Sequence, residues 1–211
     1  MVYRVVCVSG PDGAHMRAVA QGVAERLGFA LVDEEIVLRA AAEAGVEPRL
    51  VANAEKRRSF MERALDALAS NTDGAALALA GVGVVVVVPE TAVSDELRDL
   101  IRAAIEETAA RGSAVIVSHA GSHALASQPD VLRVLVTASP PIRRARVSSE
   151  RDLNEKDAAR AVDESDAARA DYLKRFYGAK SELPTQYDIV VNTDRLSPDE
   201  AISLVALATG R

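Results

Sequence analysis

At 211 residues, 49% of them hydrophobic and 27% charged, the chain has the length and balance of one soluble domain with a sizeable core. Aromatic residues make up only 3% and tryptophan is absent, so that core must be built from Val, Leu, Ile and Ala. A formal charge of −6 argues against broad binding to nucleic acid or to an anionic membrane.

The chain opens on an apolar run, residues 2–8, that reads as a buried strand. Cys7 lies inside it and is the single cysteine, so no internal disulfide can form. Its apolar neighbours suit a small buried hydrophobe better than a reactive thiol. The first ten residues lack the pattern of a signal peptide, and the apolar stretch 75–88 is too short and too Gly-interrupted to span a bilayer. A cytoplasmic location is the expectation.

Next come Ser9-Gly10-Pro11-Asp12-Gly13-Ala14-His15-Met16-Arg17 and a helix over 18–27 that ends at Gly28. Strand, Gly-containing loop and helix N-terminus together form a frame in which backbone N–H groups and the helix dipole hold an anion. Residues 29–33 form a short strand ending in Asp33. Helices are expected over 34–44 and 48–69, followed by a turn at 71–74. Residues 81–89, with the Val run 82–88, read as a β-branched strand. Ser94-Asp95-Glu96 opens a helix to about residue 111. Two buried strands follow at 114–118 and 132–137, then an Arg-rich helix at 140–149 and a longer amphipathic one at 156–177. Residues 187–191 form the last strand. Ser197-Pro198-Asp199-Glu200 starts a terminal helix with Pro in its first turn. This alternation of strands and helices predicts an α/β fold on a parallel sheet.

Several segments carry a resemblance. Gly13 to Gly28 with Val32-Asp33, the apolar strand ending in Ser118-His119, and the strand leading to Arg143 and Arg146 occur in a characteristic order. Asp166-Ala167-Ala168-Arg169-Ala170-Asp171-Tyr172 forms a D-x-x-R-x-x-Y segment, and Tyr187-Asp188 with Asn192-Thr193 closes the series. On these residues the chain resembles the cytidylate kinase-like proteins over nearly its whole length. The resemblance implies a P-loop nucleoside monophosphate kinase-like fold, a three-layer sandwich around a central parallel sheet. It implies a single domain over 1–211, with an acceptor-binding helical region inserted at about 34–80 and a lid at about 150–180. The reaction implied is phosphoryl transfer from ATP to CMP or dCMP with Mg²⁺.

Such a reaction needs positive charge and positioning around developing phosphate oxygens, and Arg supplies both through its planar fork. The residues implied as catalytic are Arg17, Arg143, Arg146 and Arg169. Those implied to bind nucleotide are Gly10, Gly13, Ala14, His15, Met16, Arg17, Asp33, His119, Arg151 and Asp166. Arg143 and Arg146 are three apart and share a helical face. They also read as part of a solvated basic face balanced by Glu150, Asp152 and Glu155. Asp166 is expected to orient Arg169 within one helical turn. Asp33 reads equally as a site residue or as the cap of the next helix.

The loop departs from the full motif G-x-x-x-x-G-K-[ST]. Set from Gly10, it has His15 for the second Gly, Met16 for Lys and Arg17 for Ser/Thr. Met16 brings no charge. His15 stands where a Gly would permit positive φ or close approach of phosphate. The strand end offers Ser118-His119 in place of Gly-Arg, and three scattered His make a weak metal set. These departures fall on phosphate-facing positions while the core patterning is intact. Three readings follow: a divergent kinase, a non-catalytic member that binds nucleotide or a partner protein, and a structural subunit, with a homodimer through residues 82–88 as one form of it.

Overall fold

A computed structural model of the chain describes residues 2–33, 102, 105–106, 108–118, 121–179 and 182–210. The helices expected at 34–44 and 48–69, the turn at 71–74, the strand at 81–89 and His119 lie outside the described residues, as does most of the helix expected at 94–111.

Short β-branched runs become five strands: β1 (Val5–Ser9), β2 (Ala30–Asp33), β3 (Ala114–Val117), β4 (Val131–Thr137) and β5 (Ile189–Asn192). They form one sheet in the order β2-β3-β1-β4-β5, and every pairing is parallel. β1 is central, with Val8 level with Val117 on one side and Val134 on the other. Parallel strands need covered faces, and alternate residues here serve opposite layers.

Val6 and Val8 of β1, Val115 and Val117 of β3, and Leu132, Val134 and Val136 of β4 share one core. It is completed by α1 (Met16–Leu27) through Val19, Ala20 and Val23, and by α5 (Pro198–Ala208) through Ala201 and Val205. Val5, Cys7, Ala114, Ile116 and Val131 face the other way, onto Ile105, Ala109 and Leu125. Each fully buried Val contributes about 1.5–2 kcal/mol of transfer free energy, so small aliphatics suffice without Trp. Between β3 and β4 lies a short helix, α2 (Gly121–Ala124), which sequence patterning did not suggest. After β4 come α3 (Pro140–Arg151) and α4 (Glu155–Tyr177), joined by the contact of Val147 with Ala158 and Val162. Asn154 caps α4 by accepting from the Asp157 N–H.

The observed boundaries differ from the expected ones where backbone groups find other partners. β1 starts at Val5 because Tyr3 N–H donates to the Thr209 carbonyl and Arg4 N–H to that of Asp130. α1 begins at Met16, two residues earlier than expected. β5 starts at Ile189: Tyr187 closes a single 3-10 turn (Pro184–Gln186), and the Asp188 carboxylate is taken by Arg133. The terminal helix follows its signature, with Ser197 and Glu200 forming a capping box and Pro198 at the first position.

Candidate functional site: a phosphate-type loop ringed by arginines

The loop leaves β1 at Ser9 and enters α1 at Met16, across the C-terminal end of the sheet. Open α/β sheets bind ligands at such ends. Two residues of the loop adopt left-handed backbone, Gly13 at φ 74 and His15 at φ 63. His15, which stands where the motif has its second glycine, is itself left-handed, and a non-Gly residue bears a cost of about 1 kcal/mol there. Gly10 is needed for space, since a Cβ on it would lie 2.3 Å from the Val136 carbonyl oxygen.

His15 is the N-cap of α1 and makes no side-chain cap hydrogen bond, and no acidic residue stands in the first turn. The N–H groups and dipole of that turn are arranged as an anion seat. Burial, then the Arg146 charge, lowers the His15 pKa below its ordinary value, against an opposing pull from Glu150. Glu150 lies 3.9 Å from the His15 Nδ1.

The loop carbonyls point the other way and are taken by side chains. Arg169 donates to Gly10 O at 3.2 Å, Arg143 to Asp12 O at 3.2 Å and Arg146 to Gly13 O at 3.1 Å. Thr193 Oγ1 donates to Ala14 O at 3.1 Å, and Arg146 also reaches Thr193 through Oγ1 and the carbonyl. Each guanidinium is fixed in turn. Arg143 and Asp166 pair through both nitrogens, at 2.8 and 2.5 Å. Arg151 donates to the Asp12 carboxylate at 2.6 Å. Arg17, in the first turn of α1, pairs with Asp33 at the end of β2. The sequence expectation for Asp166 is therefore corrected: it gives its oxygens to Arg143, and Arg169 takes Glu182 instead. Arg143 of α3 takes both Asp166 oxygens, while Glu182, beyond the end of α4, meets two Arg169 nitrogens.

Arg169 and Glu182 form a second two-point pair, at 2.7 and 2.6 Å, with side chains 6% and 18% exposed. Arg169 also donates to Ser9 Oγ at 2.9 Å, and the Ser9 hydroxyl donates to the Ser118 carbonyl. Tyr187 donates its hydroxyl to Glu182. Burial would raise the Glu182 carboxyl, but Arg169 and the Tyr187 hydroxyl outweigh it and hold the carboxyl below its ordinary range. Burial and the Glu182 charge push Tyr187 up to about 12. Glu182 and Thr193 were not singled out from sequence as site residues. Thr193 sits in the closing N-T pair of the last strand, which was a usable signal, whereas nothing marks Glu182.

Beside the loop is a cavity of about 220 Å³, lined by Pro11, Thr137, Arg143, Asp166, Arg169 and Glu182 among others. The structure thus brings Gly10, Gly13, Ala14, His15, Arg143, Arg146, Arg151, Arg169 and Asp166 together around one loop. Arg17 and Asp33 stand at its β2 side. Among the described residues no group of His, Cys, Asp and Glu gathers as a metal site. His123 packs against Tyr177 at 5.4 Å between ring centres.

A family model matches residues 5–195, and its family is the cytidylate kinase-like family. The chain belongs to that family. Solved structures show the same fold. The chain is similar to an uncharacterized protein from Eubacterium ventriosum, at 15% identity, 98% coverage of each chain and a TM-score of 0.66. It is similar to shikimate kinase from Bacteroides thetaiotaomicron, at 12% identity, full coverage of both chains and a TM-score of 0.51. It is also similar to TT1252 from Thermus thermophilus, at 15% identity, 100% and 98% coverage and a TM-score of 0.52. No curated protein matches the chain. This cytidylate kinase-like protein therefore has an α/β P-loop kinase fold. Among the described residues no helix is long and apolar enough to cross a membrane.

Proposed function

We propose that this cytidylate kinase-like protein binds the phosphates of a nucleotide at the loop from Gly10 to Arg17, with the family's phosphoryl transfer weakened or lost. The observation that carries the reading is the backbone of the loop. It keeps positive φ at Gly13 and at His15, where the glycine is gone, and opens on an uncapped helix N-terminus. A chain with no use for the turn would gain stability by abandoning a left-handed His.

The argument for weakened transfer is electrostatic. Transfer between phosphates rests on positive charge aimed at the moving group. Met16 offers none where the motif has Lys, and Arg17 pairs through Nη1 with Asp33. Arg143, Arg146 and Arg169 point guanidinium groups at loop carbonyls and at Asp166 or Glu182, which supports loop shape more than a travelling phosphoryl group. ATP is the nucleotide expected at the loop, with CMP or dCMP as the family's acceptor. Asp33 and His119 belong to the proposed acceptor side, and Arg151 and Asp166 to the lid. The donor set does not suit Mg²⁺ held by the loop: the hydroxyl position is Arg17, and its guanidinium already takes Asp33.

A thermal-shift panel with ATP, ADP, CMP and dCMP tests the reading. ATP or ADP at a hundredfold excess over Kd should stabilise the fold by about 2.7 kcal/mol and raise Tm by several degrees. No shift at millimolar nucleotide overturns it.

A further inference from the structure

Of the arginines that touch the loop, one is differently placed. Arg143 and Arg169 have side chains 5% and 6% exposed, each locked by a two-point carboxylate pair. Arg151, the last residue of α3, is 48% exposed and holds the loop by one contact alone, Nη2 to the Asp12 carboxylate at 2.6 Å. Asp12 immediately precedes Gly13, and its own carbonyl is fixed by Arg143, so its side chain stays with the loop. A negative charge is therefore built into a loop whose geometry suits an anion.

We propose that Asp12 is an internal competitor for the ligand's phosphate: its carboxylate holds Arg151 against the loop, and a bound polyphosphate takes that guanidinium from it. The inference rests on the nucleotide reading above. Three physical facts support it. An exposed single-contact ion pair is worth little, so exchanging its partner costs little. A carboxylate and a phosphate are alternative acceptors for the same fork of N–H donors, with phosphate carrying more charge. A carboxylate carried on the same loop as an anion seat opposes any incoming anion. Asp12 therefore lowers affinity twice, by repulsion and by occupying the exposed arginine. Arg151 becomes a ligand arm only after the exchange.

The test is a calorimetric titration of the full chain with ADP, in four forms: unaltered, Asp12→Asn, Arg151→Ala, and both together. Asp12→Asn should bind ADP about tenfold more tightly than the unaltered chain. Arg151→Ala should weaken binding less than about twofold on its own, because the released Asp12 charge and the lost arm are already set against each other. In the Asp12→Asn background the same change should cost about fivefold to tenfold, because Arg151 is then free to serve the ligand. Equal affinity of Asp12→Asn and the unaltered chain overturns the proposal, as does an Arg151→Ala effect of the same size in both backgrounds. Asp12→Ser provides a second replacement should Asp12→Asn melt early, and it should tighten ADP binding likewise. Failure of all forms to bind ADP overturns the nucleotide reading, and this inference with it.

Discussion

On its sheet side the loop at residues 10–15 is fixed by backbone shape and apolar packing, and on its helix side by guanidinium groups. β1 and α1 meet through Val6, Val8, Val19 and Val23, all fully buried, and Gly10 passes close under the Val136 carbonyl. Across the loop, Arg143, Arg146 and Arg169 hold its carbonyls and are themselves held by Asp166, Thr193 and Glu182. The first arrangement tolerates no added volume but needs no particular partner. The second tolerates changes in exposed pairs but fails when one member of a buried pair is removed. The contrast explains how the loop holds a left-handed turn at His15 without a glycine there.

The largest effect should come from the arginine side. Arg169→Ala leaves Glu182 buried without its partner and should cost about 3 kcal/mol in urea denaturation. A loss below 1 kcal/mol would make the arginine ring ornamental and break the comparison. Gly10→Ala tests the sheet side: the added Cβ meets backbone, so about 2 kcal/mol should be lost. A neutral Gly10→Ala would show that the loop and β4 can separate freely.

Stability against pH sharpens the same contrast. Tyr187 holds its proton more tightly folded than unfolded, with a pKa of about 12 against 10. Its contribution is fully present below pH 10 and is lost as pH rises towards 12. Glu182 is depressed from its ordinary 4.5, so its contribution is present above that value and is lost as pH falls through the lower folded pKa. Tyr187→Phe should flatten the alkaline limb of a denaturation series, and Glu182→Gln the acid limb. Unchanged limbs in both variants would detach this cluster from folding. The smallest effect is a gain: His15→Gly relieves a left-handed residue and should stabilise by about 0.5–1 kcal/mol. A loss instead would mean that the imidazole contacts outweigh the strain.

How much of this was legible in the sequence follows from the same division. Apolar runs such as 114–117 and 131–137 declare buried parallel strands, because burial on both faces leaves no polar alternation. The Ser197 capping box is a local contract between neighbours and was readable for that reason. The arginines were recognisable as a group, but their partners were not. Asp12 lies 139 residues from Arg151 and Asp166 lies 23 from Arg143. Glu182 follows Arg169 by 13 residues, past the end of α4, where no periodicity connects them. The loop itself shows the limit from the other direction. Sequence marks His15 as a missing glycine, and only the backbone reveals that the turn persists without it.

Phosphorus NMR separates the proposed phosphate seat from phosphoryl transfer in a single sample. The spectrum is recorded on the full chain with ATP, Mg²⁺ and CMP together. The protein should broaden and shift the ATP phosphorus signals while those of ADP and CDP grow little or not at all. ATP signals identical with and without protein would contradict the seat, and rapid growth of ADP and CDP signals would contradict the weakened transfer.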